Sequence, residues 1–255
     1  MTIVNRGTNN KIMKAFLLTA GLGTRLRPLT NDLPKCLLPI CGKPLLEIWL
    51  DLLGLHGVDE VLVNTHWQHE KVERYFLEGD KIRKENGRKW PRVRLFYEKE
   101  LLGSAGTLLA NKDWVADGQP FFILYGDNLT NVDLGKMLRF HEGHHLPFTL
   151  GVFKADDPKR SGIAEVDKGG VVVGFEEKPK HPKSDLAAAG TYITDNRIFD
   201  VFPESIEEGM TYDIGYDILP KLAGRMMAYR IREFLMDIGT MESYRKAQDI
   251  YPQIG

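Results

Sequence analysis

A nearly unbroken apolar run, residues 15–19 (Ala-Phe-Leu-Leu-Thr), empties directly into Ala20-Gly21-Leu22-Gly23-Thr24-Arg25-Leu26-Arg27-Pro28-Leu29-Thr30. The run has the texture of a strand covered on both faces, and such strands belong to sheets flanked by helices. Glycines at positions 21 and 23 let the backbone come close to a ligand, because no Cβ stands between them. Arg25 and Arg27 then supply guanidinium groups, and Lys35 an ammonium, a few residues beyond the turn. A glycine turn followed by three cations suits the polyphosphate of a nucleoside triphosphate. Two better-known phosphate loops are excluded. A dinucleotide-binding turn needs a third glycine where this chain has Leu26. A Gly-Lys-Ser/Thr loop is absent too, since Thr24-Arg25 follows Gly23 directly. The plain alternative is a structural turn whose arginines are solvated.

Beyond the loop, Leu45, Leu46, Ile48, Trp49, Leu52, Leu53 and Leu55 recur at helical spacing up to His56-Gly57. Residues 61–64 read as a second buried strand and 70–77 as a short amphipathic helix. The polar stretch 79–91 reads as a surface insertion, with Lys81, Arg83, Lys84, Arg88 and Lys89 solvated. A third strand is expected over 93–97, a helix over 104–111 and a fourth strand over 121–125, ending at Gly126-Asp127-Asn128. This alternation predicts a doubly wound α/β sheet with ligands at the carboxyl ends of its strands. From Pro147 the texture changes: strands are expected at 148–154, 163–166, 171–176 and 188–194, then helices over 213–222 and 241–250.

The segment from Thr19 to Thr30, with Pro34-Lys35, Leu38-Pro39-Ile40 and Gly42-Lys43-Pro44, resembles the opening of the sugar-1-phosphate nucleotidylyltransferases. Ala20 stands where that family usually has its first glycine. The likeness is to cores of the mannose-1-phosphate guanylyltransferase kind. It implies a Rossmann-like nucleotidyltransferase fold, with a mixed, mostly parallel doubly wound sheet and a β-rich sugar-binding half. Residues 1–12 would be a flexible tail and 13–255 a single domain, with 13–146 the nucleotide-binding half and 147–255 the sugar-binding half. The resemblance implies an NTP and a sugar 1-phosphate as substrates, an NDP-sugar and pyrophosphate as products, and Mg²⁺ as cofactor. Nucleotide contacts would come from Leu18, Ala20, Gly21, Gly23, Thr24, Arg25 and Lys35.

Asp127 directly follows an expected strand, and Asp237 precedes a glycine turn in Met236-Asp237-Ile238-Gly239-Thr240. Read alone, each aspartate is an ordinary cap or turn residue. The resemblance makes the pair the metal ligands, and hard carboxylate oxygens suit Mg²⁺. Glu177-Lys178-Pro179 is similar to the family's Glu-Lys-Pro element, whose lysine meets the sugar phosphate and whose glutamate meets sugar hydroxyls. The same likeness places Asn128, Gly162, Gly190 and Thr191 around the sugar. Glu98 with Leu102-Gly103-Ser104-Ala105-Gly106 resembles the base-reading segment. A carboxylate there can accept the N1 and N2 hydrogens of guanine. Arg25, Lys35 and Lys178 would be the catalytic cations.

The favoured substrates on this reading are GTP and a mannose- or heptose-type 1-phosphate. UTP or dTTP use, or a non-catalytic NDP-sugar-binding regulatory subunit, are the alternatives. With 34 basic and 35 acidic residues in 255, no global field attracts nucleic acid or an anionic membrane. Cys36 and Cys41 are too few for a zinc site or a disulfide scaffold, so reduced thiols in a cytoplasmic protein are expected. No apolar run approaches a membrane span, and no signal-peptide core opens the chain. A homo-oligomer is left open. His141, His144 and His145 share a spacing that allows metal binding, a solvated helix end being the alternative.

Overall fold

The computed structural model describes residues 12–85, 89–207 and 209–254. The first strand, β1 (Lys14–Leu18), opens the main sheet. After the loop come a two-residue hairpin, β2 (Pro39–Ile40) and β3 (Lys43–Pro44), and helix α1 (Leu45–Leu55). Strand β4 (Glu60–Thr65), helix α2 (His69–Glu85), strand β5 (Arg92–Tyr97), helix α3 (Gly103–Ala110) and strand β6 (Phe121–Tyr125) follow. A short strand β7 (Asn128–Thr130) and helix α4 (Leu134–Glu142) close the first half.

The second half contains β8 (Phe148–Lys154), β9 (Gly162–Val166), β10 (Val171–Glu177) and β11 (Leu186–Thr194). After a π-type turn, Ile214–Ile218, come β12 (Met226–Arg230), β13 (Leu235–Asp237) and α5 (Met241–Ile254).

Among the described residues, nine strands form one sheet in the order β5-β4-β1-β6-β11-β8-β12-β10-β9. The four strands β5-β4-β1-β6 are parallel, as the alternating strand and helix signals predict. The remainder is mixed: β11 runs antiparallel to β6 and β8, while β12 runs parallel to β8. A further β11–β9 contact, Ala187 opposite Ile163, curls this half back on itself.

Alternate residues of β1 show how the sheet is covered. Ala15 and Leu17 join the core beneath α1, α2, α4 and α5, where Trp49 and Met137 also lie. Phe16 points to the opposite core, with Leu62, Ile123 and the apolar residues of 214–222. Helices therefore cover both faces, which is why β1 is apolar almost throughout. Fully enclosing a side chain such as Phe16 contributes roughly 2–3 kcal/mol.

Several expected elements are longer or different. Helix α2 continues to Glu85, so much of the expected insertion 79–91 is helical; residues 86–88 lie outside the described residues. The side chains of Lys81, Arg83, Lys84 and Arg88 also lie outside the described part. The expected tail falls almost wholly on residues 1–11, likewise outside it. The expected helix over 213–222 is instead the π-type turn followed by a 3₁₀ turn, Leu219–Leu222, with Pro220 at its start. Proline cannot donate the hydrogen bond that would continue a regular helix. Among the described residues no helix is long and apolar enough to cross a membrane.

Candidate active site

The carboxyl ends of β1, β4, β5 and β6 border a cavity of about 410 Å³. Of the residues expected to meet a nucleotide, Leu18, Ala20, Gly21, Lys35, Glu98, Gly103 and Ser104 line it, as does Asp127. Gly23, Thr24 and Arg25 lie beyond its wall, on the loop that turns back through Thr30, whose hydroxyl donates to the Gly23 carbonyl at 2.8 Å.

The two distant aspartates meet through a ribbon separate from the main sheet. Strands β7 and β13 pair antiparallel with Asn128 opposite Asp237, and the Ile238 amide donates to the Asp127 carbonyl at 2.9 Å. Trp49 of α1 anchors this ribbon by donating its indole N–H to the Asn128 carbonyl at 2.8 Å. Lys35 Nζ lies 2.8 Å from Asp127 Oδ2 and 3.7 Å from Asp237 Oδ1. Arg25 completes the group: its Nη2 lies 2.9 Å from where a side chain on Gly239 would begin. The Asp237 carboxyl is pushed above the ordinary carboxylate range, first by partial loss of water and then by the charge of Asp127. Lys35 and Arg25 pull it back down.

This donor set fits a magnesium ion. Mg²⁺ takes one or two carboxylates and completes its shell with water and substrate phosphates, and two acids that repel each other gain from a cation between them. Among the described residues no group of three or more His, Cys, Asp or Glu side chains could hold a metal. Phosphate oxygens would therefore have to supply the rest. Cys36, beside Lys35 in the cavity wall, is buried, and burial pushes its thiol up to about 12. It is inert as a nucleophile at neutral pH.

Lys178 is not among the residues that line this cavity. Its Nζ is 3.6 Å from Glu177 Oε1 and 5.7 Å from the centre of the Tyr216 ring. The backbone of Lys178 is left-handed, φ 48°, a conformation a non-glycine residue holds only under constraint. Burial raises the Glu177 carboxyl, and the charge of nearby Asp213 adds to the rise. Gly162 is where a side chain would not fit: a Cβ there would stand 2.3 Å from Glu177 Oε2 and 2.5 Å from the Phe175 ring.

The other residues expected as backbone walls of the sugar site lie on β11 and β7. Thr191 is fully enclosed, its hydroxyl without a hydrogen-bond partner. It sits opposite Leu124 in the β11–β6 register, so its side chain follows Leu124 into the core. Gly190 is buried against Asn128 and the Tyr125 ring, and the Asn128 amide donates to the Ala189 carbonyl at 3.0 Å. The Asn128 contact ties the ribbon to β11 of the main sheet.

Glu98 lines the cavity while bonded within the protein. It is 3 % exposed, and Oε1 already accepts from Asn64 Nδ2 at 2.8 Å and from the Thr107 hydroxyl at 2.6 Å. Oε2 accepts from the Leu102 amide at 3.0 Å. A carboxylate has about four lone-pair sites, so one remains. Glu98 as placed can take one donor from a base, not the two that guanine presents on adjacent nitrogens.

Tyr125, Thr211, Tyr212 and Asp213 line the cavity without having been singled out in the sequence. Asp213 accepts from the Ser104 hydroxyl at 2.8 Å and from the Gly215 amide at 2.8 Å, tying the second half to α3. An aspartate ahead of Ile-Gly is a cap signal that could have pointed there. The three histidines part company: His145 is exposed past the end of α4, and among the described residues no group that could hold a metal includes them. His141 is buried at the close of α4, 2.8 Å from the Thr149 hydroxyl, which His144 Nε2 also meets at 2.8 Å.

A doubly wound fold carries clustered cations and paired acids beside a cavity at its strand ends, where such sheets place their ligands. The chain belongs to the nucleotidyl transferase family, whose model matches residues 14–253. It is 32 % identical over 248 residues to the mannose-1-phosphate guanylyltransferase catalytic subunit beta of Xenopus tropicalis, covering 94 % of this chain and 65 % of that protein. It is 30 % identical over 258 residues to the UTP–glucose-1-phosphate uridylyltransferase of Synechocystis, covering 92 % of this chain and 62 % of that one. The chain thus spans less than two thirds of these relatives' length. A solved UDP-glucose pyrophosphorylase complexed with UDP-glucose has the same fold, with a TM-score of 0.80 at 23 % identity, over 95 % of this chain and 99 % of that one.

Proposed function

We propose that the chain transfers a nucleotidyl group from an NTP to a sugar 1-phosphate. The observation that carries this reading is the convergence of Arg25, Lys35, Asp127 and Asp237 beside one cavity, which Lys35 and Asp127 line, with Lys178 next to Glu177 and Tyr216. A phosphate oxygen of the sugar 1-phosphate attacks the α-phosphorus in line, and the bond from that phosphorus to the oxygen bridging to the β-phosphorus breaks. Pyrophosphate leaves with that oxygen and its electron pair. No group on the enzyme needs to become covalently attached.

Arg25 and Lys35 are the groups that neutralise the triphosphate and the departing pyrophosphate. Lys178 does the same for the incoming phosphate, so that two anions can approach. Asp127 and Asp237 would hold Mg²⁺, which supplies charge neutralisation at the phosphates when bound. Lys35 bridges these acids, and its ammonium would be free for phosphate once they held a cation. Two free thiols and small charged substrates support a cytoplasmic setting.

Relatives named as guanylyltransferases support GTP with a mannose- or heptose-type 1-phosphate. One observation favours a second reading. The single open lone pair on Glu98 matches the one ring N–H of uracil, and one relative is named for UTP. A pyrophosphate-release assay crossing the four NTPs with a panel of sugar 1-phosphates tests both. Release with GTP and mannose or heptose 1-phosphate supports the first reading, and release with UTP the second. Nucleotide-sugar binding without any release would assign the chain to a regulatory role.

A further inference from the structure

Asn64, near the end of β4, sits at the centre of a buried polar junction that no motif marks. Its Oδ1 accepts from the Thr19 amide at 2.6 Å, and its backbone carbonyl accepts from the Thr19 hydroxyl at 2.5 Å. Its amide nitrogen donates to Glu98 Oε1 at 2.8 Å and to Thr107 Oγ1 at 3.1 Å. Asn64 is 4 % exposed and Thr107 fully enclosed. Thr19 is the residue from which the glycine loop departs; Glu98 holds the Leu102 amide, and Thr107 holds the Gly103 carbonyl at 3.0 Å. One side chain therefore ties the start of the phosphate loop to the wall across the cavity.

The chemistry of the position is demanding. Thr19 offers a donor and Glu98 an acceptor, and a carboxamide is the side chain of this size that answers both at once. An apolar residue would leave the Thr19 amide without its acceptor and strip a donor from the buried Glu98 carboxylate, both costly in a low dielectric. We propose that Asn64 is a positioning residue: it sets the spacing between the phosphate loop and the base-side wall, so that triphosphate and base are gripped in one register. The proposal rests on the nucleotide reading of this cavity.

Asn64→Asp is the informative change. It keeps an acceptor for Thr19, removes both amide hydrogens and sets a second carboxylate against Glu98. Calorimetric affinity for the preferred NTP should fall about tenfold or more, the preference among NTPs should shrink, and the KM for sugar 1-phosphate should hold within about twofold. Adding Glu98→Gln repairs the junction. The amide introduced at position 98 donates one hydrogen to the carboxylate introduced at position 64. Its other hydrogen goes to Thr107, whose hydroxyl hydrogen is then released from position 98 to the Gly103 carbonyl, 3.0 Å away, and its oxygen still accepts from the Leu102 amide. The Asn64→Asp/Glu98→Gln protein should regain nucleotide affinity to within about threefold of wild type.

Unchanged NTP affinity in Asn64→Asp overturns the proposal. So does an equal loss for NTP and sugar phosphate that the second substitution does not repair. If Asn64→Asp does not fold, the double variant decides: folded protein with weak nucleotide binding overturns the proposal, and binding within the stated range supports it. Calorimetry reads binding without turnover. Asn64-dependent nucleotide binding in a chain that releases no pyrophosphate would remove the transferase reading and leave this one standing.

Discussion

Replacing Lys35 with glutamine removes the cation that bridges both acids of the β7–β13 ribbon. At the observed 2.8 Å contact with Asp127, Coulomb's law spans roughly 1.5 kcal/mol in water to 6 kcal/mol at a protein-surface dielectric. The Asp127 and Asp237 side chains are 40 % and 57 % exposed, which puts the net effect near the lower end, about 1–2 kcal/mol. For a chain of this length that is roughly a 3–6 °C fall in Tm. The sign with pH follows from Asp237, whose folded carboxyl is already raised above its unfolded range. An acid raised in this way loses stability as pH climbs through the carboxylate range. Lys35 opposes that loss, so the deficit of Lys35→Gln should be full at neutral pH and fade in acid as the pair takes up protons. Mg²⁺ should raise the Tm of the variant more than that of wild type, since a metal replaces the missing charge. Pyrophosphate release should still be on the order of a hundredfold slower at saturating Mg²⁺, because the phosphate contact is gone. Thermal scans over pH, with and without Mg²⁺, separate the terms. Equal Tm at neutral pH, with no larger Mg²⁺ response, would refute the bridging role.

Three further outcomes follow from single contacts. Asp127→Asn and Lys178→Ala should each lower kcat by on the order of a hundredfold in the release assay; wild-type turnover in either removes that role. Gly103→Ala should destabilise by about 2–4 kcal/mol in urea melts, since φ is +78° and a Cβ would stand 2.3 Å from the Tyr212 carbonyl, which caps Ala105 and Gly106. An unaltered midpoint would mean the Tyr212 segment moves freely. Burial holds His141 down at about 4, so the unfolded chain takes up its proton first as pH falls. Stability should therefore drop by about 2 kcal/mol between pH 7.5 and pH 5, and His141→Gln should flatten that drop.

What could be read from the chain in advance depended on how local the cause was. Strand β6 and helix α1 were legible to the residue because their apolar periodicity is set by the core each faces. Helix α2 was cut short because Gly79 and a run of charges look like a loop. A lone glycine costs a helix only about 1 kcal/mol, and charged residues on a solvated face are good helix formers. The turn at 214–218 kept the apolar spacing of a helix, but the cap at Asp213 and the proline behind it change the hydrogen bonding that spacing cannot register.

The site divides along the same line. Loop cations and glycines were visible as a cluster because they are neighbours in sequence. Asp127 and Asp237 were joined only by likeness to a family, since β7 and β13 are three residues long and carry no periodic signal. Glu98 was visible as a carboxylate in a suggestive segment, yet its chemistry depends on how many lone pairs its neighbours leave open. Of those neighbours, Leu102 and Thr107 come from the cap and first turns of α3, but Asn64 comes from β4. The carboxylate that looked like a two-pronged reader of guanine is instead a brace with one point of contact left. On the proposed reading, base choice then rests on that one point of contact and on the spacing that Asn64 holds. Selectivity among nucleotides should accordingly respond more to Asn64→Asp than to any single cation of the phosphate loop, whose loss weakens every NTP alike. A loop-cation variant that reordered the NTP preference, with Asn64 intact, would put the discriminating contact in the loop instead.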